Sequence, residues 1–173
     1  MSRGSIILVG MMLSGKSTVG KRLAERLKLP FVDLDRAIEA SSGLSISVLI
    51  RRGEEGFRKI ESSILATHLD KRKAVVLATG GGAFEDAQSR KHCLKTGVVV
   101  YLKARIETLM SRHGRDDTVR PLLENGNPEE ALVELTGIRE VNYMKAHHAI
   151  EVDGLKVDEI VNEIVNAYQS RNS

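Results

Sequence analysis

Along the chain, short unbroken apolar runs alternate with longer stretches of helical period. The runs Ser5–Val9, Phe31–Leu34, Ala74–Ala78, Val98–Leu102 and Ala149–Val152 read as strands. Most consist of Val, Ile and Leu without polar alternation, as expected of parallel strands covered on both faces. Helical patterns lie between them at Lys16–Leu27, Arg36–Ala40, Ser45–Arg52, Glu54–Lys71, Asp86–Thr96, Ile106–Ser111, Pro128–Ala146 and Val157–Tyr168. Asn127-Pro128-Glu129-Glu130 offers an N-cap, a proline at the first helical position and acids in the first turn. Pro30 cannot continue the first helix and closes it. Strand–helix alternation at this spacing predicts right-handed βαβ units and an open parallel sheet, an α/β fold.

Two stretches interrupt the alternation. From Asp33 to about Glu61 extra helices replace a simple crossover, and from about Arg112 to Gly126 the chain is rich in charge and glycine with little period. Insertions in such domains sit at the carboxyl ends of strands, where ligands bind. The first is expected to form a substrate-binding subdomain and the second a mobile lid. A plain solvated loop would also account for the second.

Composition narrows the field without changing this outline. With 173 residues, 42% hydrophobic and 28% charged, one domain spanning 1–173 with a substantial core is expected. A net charge of +3, 3% aromatics and no Trp leave no stacking platform for single-stranded nucleic acid. The single cysteine, Cys93, cannot form an internal disulfide, which suits a reducing compartment. Ser5–Val9 is too short for the apolar core of a leader, and no run is long enough to span a membrane. A cytoplasmic protein with no membrane partner is expected.

The run Gly10-Met11-Met12-Leu13-Ser14-Gly15-Lys16-Ser17 reads G-x-x-x-x-G-K-S, between a predicted buried strand and a predicted amphipathic helix. Glycines let backbone N–H groups converge on phosphate oxygens, and the helix N-terminus adds its positive dipole. Lys16 would reach the β- and γ-phosphates, and the Ser17 hydroxyl would ligate Mg²⁺. The expected ligand is a nucleoside triphosphate.

Asp33-Leu34-Asp35 follows the second predicted strand. Residues two apart on a strand share a face, so both carboxylates are expected to point the same way. One could hold Mg²⁺ through water while the other orients a hydroxyl nucleophile, although a solvated strand end would equally account for the pair. Ala74–Ala78 ends not in an acid but in Thr79-Gly80-Gly81-Gly82, so the metal role falls to Ser17 and Asp33. The three glycines admit close approach of a ligand or simply form a turn. No Asn-Lys-x-Asp guanine signature occurs. Arg58, Arg120 and Arg139 are candidates for capture of a carboxylate or of a migrating phosphoryl group, against the alternative of surface ion pairs. The five histidines lack metal-ligand spacing, and Cys93 reads as packing.

Together these motifs, in this order, resemble shikimate kinase, from Ile6 to about Tyr168. Glu54-Glu55-Gly56-Phe57-Arg58, Thr79-Gly80-Gly81-Gly82 and Arg120-Pro121-Leu122-Leu123 fall where that family has them, with Arg139 and Tyr143 following. The resemblance implies a three-layer P-loop kinase fold with a five-stranded parallel sheet in order 2-3-1-4-5. It implies ATP-dependent phosphorylation of the shikimate 3-hydroxyl, a step toward chorismate and the aromatic amino acids, with Mg²⁺ as cofactor. Lys16, Asp35 and Arg120 would be catalytic, Asp35 gripping the substrate hydroxyls and able to act as base. ATP would contact Met12, Leu13, Ser14, Gly15, Lys16, Ser17, Thr18 and Arg120, with Arg112 and Arg115 flanking the place of an adenine-side arginine. Substrate would contact Asp35, Arg58, Gly80, Gly81, Gly82 and Arg139, the two arginines clamping its carboxylate. Ser17 and Asp33 would support the metal, and a monomer is expected.

The chain departs from the family pattern in three places, one of them the expected adenine-contacting loop near Asp153-Gly154-Leu155-Lys156. Leu13 stands where the family has glycine, and Arg139-Glu140-Val141-Asn142-Tyr143 lacks a proline-leucine pair before the tyrosine. The rivals are a gluconate kinase on the same scaffold and a non-catalytic nucleotide-binding protein. Arg58, Arg139 and the glycine run disfavour the first. Retention of Lys16, Asp35 and Arg120 disfavours the second.

Overall fold

The computed structural model describes residues 4–70, 73–115, 123 and 126–172. Five strands form one parallel sheet: β1 (Ser5–Val9), β2 (Phe31–Asp33), β3 (Val76–Ala78), β4 (Gly97–Lys103) and β5 (His148–Glu151), in spatial order β2-β3-β1-β4-β5. The central strand β1 pairs with β3 through Ile7↔Leu77 and with β4 through Ile7↔Val99. Strand order therefore reverses beside β1, and the loop leaving β1 opens at the carboxyl edge where neighbouring connections diverge.

Eight helices lie among the described residues: α1 (Lys16–Leu27), α2 (Leu34–Ser42), α3 (Ile46–Arg52), α4 (Glu54–Leu69), α5 (Ala87–Thr96), α6 (Ile106–Arg112), α7 (Pro128–Tyr143) and α8 (Val157–Asn172). They cover the sheet on both sides. Alternate residues of each inner strand face opposite ways, so Ile7, Val9, Leu77, Val99 and Tyr101 pack toward Leu34, Ile38, Leu65 and Leu132. Ile6, Leu8, Val76, Val100 and Leu102 pack toward Val19 and Leu23 of α1 and Val161 and Ile164 of α8. Burial on both faces is why β1, β3 and β4 read as continuous apolar runs. The edge strands β2 and β5 are only partly buried, which is why their signal is shorter.

Most helix boundaries lie within a residue or two of the sequence pattern, but the second strand differs in kind. β2 ends at Asp33, and α2 begins at Leu34, two residues before the expected start. Asp33 is the N-cap of α2, accepting a hydrogen bond from the Arg36 N–H at 3.3 Å. A capping carboxylate satisfies one of the orphan donors of the first turn and so ends the strand where the helix starts. Asp35 stands in that first turn, so the expectation that both carboxylates share one face of a strand is corrected.

Candidate active site

The turn after β1 wraps tightly. Gly10 has φ +141°, and a Cβ there would lie 2.7 Å from the Leu102 carbonyl oxygen. Gly15, with φ +96°, occupies the N-cap of α1, and no side chain caps that helix. The first N–H groups of α1 thus face an open loop, the arrangement that receives phosphate oxygens. Lys16 is largely buried, with Nζ donating to the carbonyl oxygens of Gly10 at 2.8 Å and Met11 at 2.7 Å. Those bonds hold its ammonium inside the loop.

Leu13 has φ +68°, in the left-handed region that costs an ordinary side chain about 1–2 kcal/mol. The backbone therefore adopts at Leu13 a conformation that glycine takes freely, and the leucine leaves the turn in place. The carbonyl oxygen of Leu13 accepts from Arg112 Nη1 at 2.9 Å, and the same nitrogen lies 3.5 Å from where a Cβ on Gly15 would stand. Arg112 thus lies over the phosphate loop, whereas Arg115 is exposed just beyond α6. Met12 and Ser14 complete the loop, the former against the core, and Thr18 is exposed in the first turn of α1.

Ser17 Oγ donates to Asp33 Oδ2 at 2.6 Å, joining the start of α1 to the cap of α2. A hydroxyl and a carboxylate form a hard-oxygen pair of the kind magnesium accepts. Among the described residues no group of three or more His, Cys, Asp or Glu side chains could hold a metal alone. A cation here would share its ligands with phosphates, the usual arrangement in phosphoryl-transfer sites.

The second half of the site gathers around Gly80-Gly81-Gly82. A Cβ on Gly80 would lie 2.7 Å from Asp35 Oδ1, one on Gly81 3.2 Å from Arg139 Nη1, and one on Gly82 2.5 Å from Arg58 Nη2. Asp35, Arg58 and Arg139, from three different helices, therefore press on three successive glycines, and side chains there would displace them. Burial, then the charges of Asp33 and Glu61, push the Asp35 carboxyl up to about 6, with Lys16 opposing. At neutral pH Asp35 remains mostly ionised and can accept a proton.

Glu61, which the sequence reading passed over, organises the arginines. It is buried, and its Oε2 pairs with Arg58 Nη1 at 2.7 Å. Burial raises its pKa, while the charges of Arg58 and Arg139 lower it. A signal was available: Phe57, Glu61, Leu65 and Leu69 form the buried stripe of α4, and an acid on such a stripe needs a buried cation. Arg139 occupies the equivalent stripe of α7 with Leu132 and Tyr143. It is buried, and Nη1 lacks a hydrogen-bond partner among the described residues. A buried, unpartnered guanidinium nitrogen beside a glycine loop fits a site for an anionic group. Tyr143 donates its hydroxyl hydrogen to the Gly81 carbonyl oxygen and stacks on Tyr101, with ring centroids 5.0 Å apart. Arg120 and most of the expected lid lie outside the described residues.

Comparison with known proteins gives the family and the fold. The family model described as shikimate kinase matches residues 12–169. The chain is 41% identical to a shikimate kinase of Vibrio campbellii, over 96% of this chain and 97% of that one. It superposes with a TM-score of 0.90 on a shikimate kinase from Acinetobacter baumannii solved in complex with shikimate, at 38% identity over 97% of this chain and 94% of that one. A gluconokinase from Sinorhizobium meliloti shares the fold, with TM-score 0.69 and 21% identity over 98% of this chain and 93% of that one.

Proposed function

Because the chain belongs to the shikimate kinase family, we infer that it transfers the γ-phosphoryl group of ATP to the 3-hydroxyl of shikimate, giving shikimate 3-phosphate and ADP, a step of aromatic amino-acid biosynthesis. The observation that carries the substrate assignment is the convergence of Asp35, Arg58 and Arg139 on Gly80, Gly81 and Gly82. It supplies a carboxylate for hydroxyls and two guanidinium groups for a carboxylate, brought close against backbone that carries no side chains of its own.

In this reading Arg58 and Arg139 hold the acid group of shikimate, and Asp35 orients the 3-hydroxyl and takes its proton as the oxygen attacks phosphorus. Glu61 keeps Arg58 aimed and lowers the cost of burying two like charges side by side. On the nucleotide side, the open N-terminus of α1 and the N–H groups from Met12 to Thr18 bind phosphate oxygens. Lys16 exchanges its contacts to the loop carbonyls for the β- and γ-phosphates. Ser17 and Asp33 would hold Mg²⁺, which when bound offsets phosphate charge. Arg112 covers the loop toward the adenine, Arg115 lies at its margin, and Arg120 is assigned to the migrating phosphoryl group. Phosphoryl transfer needs positioning and charge neutralisation more than covalent help, and these residues provide both.

The domain assignment follows the same logic: one P-loop kinase domain over 1–173, with a substrate-binding part at about 33–61 and a lid at about 112–126 that would exclude water on closing. The protein is assigned as a cytoplasmic monomer that binds neither nucleic acid nor membrane, and among the described residues no helix is long and apolar enough to cross a membrane. The test is coupled ADP release with Mg·ATP and shikimate, gluconate or no acceptor. Turnover with shikimate alone is expected. Turnover with gluconate, or with neither, overturns the substrate assignment.

A further inference from the structure

Tyr143 and Asn142, adjacent at the end of α7, bind opposite ends of one loop. Tyr143 holds the Gly81 carbonyl, and Asn142 Nδ2 donates to Glu85 Oε2 at 3.0 Å. Between them the loop folds on itself through turns closed by Ala83 N–H to the Gly80 carbonyl and Glu85 N–H to the Gly82 carbonyl. Residues 80–85 are therefore a small rigid unit with two attachments to the helix that carries Arg139.

The amide orientation of Asn142 is set from both sides. Lys145 Nζ donates to Asn142 Oδ1 at 2.7 Å, while Nδ2 faces the Glu85 carboxylate. A flipped amide would set NH₂ against an ammonium and oxygen against a carboxylate, so the observed orientation alone satisfies both neighbours. Glu85 depends on this contact, because its other oxygen, Oε1, is buried without a hydrogen-bond partner among the described residues. Removing the Asn142 donor would leave the whole carboxylate unpaired and draw it toward water, moving the loop with it.

We propose that the Asn142–Glu85 hydrogen bond is a positioning device that fixes the glycine loop against α7 and so sets how Arg139 is held beside Gly81 to meet the substrate carboxylate. The proposal rests on the reading of Arg139 as part of the carboxylate clamp. Neither Asn142 nor Glu85 touches substrate. They act through the loop and the helix, and the effect falls on shikimate binding and not on ATP or the chemical step.

The test is steady-state kinetics of Asn142→Leu, Glu85→Leu, their double variant and Glu85→Gln, beside Arg139→Ala. We expect Asn142→Leu to raise KM for shikimate about fivefold to tenfold, with KM for ATP and kcat within about twofold of the parent. Glu85→Leu should match it, the double variant should be no worse than either single, and Glu85→Gln, whose amide oxygen still accepts, should stay near the parent. Independent, additive losses, an unchanged KM for shikimate, or an equal loss in Glu85→Gln overturn the positioning role. An unchanged KM in Arg139→Ala would instead overturn the clamp reading and this proposal with it. Should Glu85→Leu not fold, Asn142→Leu and Glu85→Gln still decide the matter.

Discussion

Arg112, the last residue of α6, donates to the carbonyl oxygen of Leu13 at 2.9 Å, across a sequence separation of 99 residues. The bond ties the segment leading to the expected lid to the one phosphate-loop residue whose left-handed backbone carries a bulky side chain. Leu13 offsets that strain by packing its side chain against the core cluster. Leu13→Gly should therefore change stability by less than about 1 kcal/mol, relief of strain nearly cancelling lost apolar contact and added chain entropy. Leu13→Val, β-branched at positive φ, should cost about 1–2 kcal/mol. Denaturant unfolding of both variants checks this, and a valine variant as stable as the parent would refute the strain account.

Asp35→Asn separates catalysis from stability. Loss of the base should lower kcat by about 10²–10⁴ with KM for ATP little changed. The parent should show an acidic limb in kcat/KM for shikimate near pH 6, following the raised pKa of Asp35, and the variant should lack it. An acid whose folded pKa lies above its ordinary value binds protons more tightly when folded, so parent stability falls as pH rises from about 4 through 6. Asp35→Asn removes that cost and should raise the melting temperature at pH 7 and not at pH 4. A variant less stable than the parent at neutral pH would contradict the electrostatic picture.

Arg58→Ala should do more than weaken substrate binding. It strands Glu61 in a buried position without its 2.7 Å partner, at a cost of about 1–3 kcal/mol. With Arg58 gone, the already raised pKa of Glu61 rises further, so the deficit is largest at alkaline pH and shrinks as pH falls toward its ordinary value of 4.5. Unfolding curves at pH 5 and pH 8 test this. A deficit independent of pH would mean that Glu61 is not the group responsible.

Gly82→Ala probes the same arginine from the other side. The added methyl would fall 2.5–2.8 Å from three atoms of the Arg58 guanidinium, the movable end of a long side chain. The fold should tolerate it, with a melting temperature within a few degrees of the parent, while KM for shikimate rises about tenfold or more. Parallel melting and kinetic measurements distinguish this from general destabilisation.

Ser17→Ala removes the hydroxyl that donates to Asp33 at 2.6 Å. The apparent requirement for Mg²⁺ should rise about tenfold or more, as when an oriented metal-site group is lost. Titration of activity with Mg²⁺ at fixed ATP reads this directly, and an unshifted curve would remove Ser17 from the metal site.

The α/β architecture and the phosphate loop are legible because their causes are local. A strand buried on both faces must be apolar throughout, as Ile6 to Val9 are, and a turn that wraps phosphate needs its glycines and lysine at set intervals. Those constraints act over a dozen residues and leave a one-dimensional record. Asp33 shows where that record ends. Its spacing to Asp35 suggested a shared strand face, but whether a carboxylate prolongs a strand or caps a helix depends on which backbone donors lie ahead of it, and Arg36 supplied one. Glu61, Arg139 and Asn142 lie further from local control. Their partners sit on other segments or on the next turn of a helix, so Arg139 and Asn142 read in isolation as an ordinary surface charge and amide, while the apolar stripe of α4 marks Glu61 as buried without naming its partner.

The sequence by itself determined the elements, the parallel run of the sheet and the chemical classes of the residues at the phosphate loop, because hydrophobic period and steric freedom act on neighbours in the chain. The tertiary structure alone decided that Glu61 is buried between two arginines, that Asp35 is pushed up to about 6, and that Arg58, Arg139 and Asp35 press on successive glycines. Those properties arise from desolvation and from charges brought within a few ångströms by packing, and neither exists until distant segments meet.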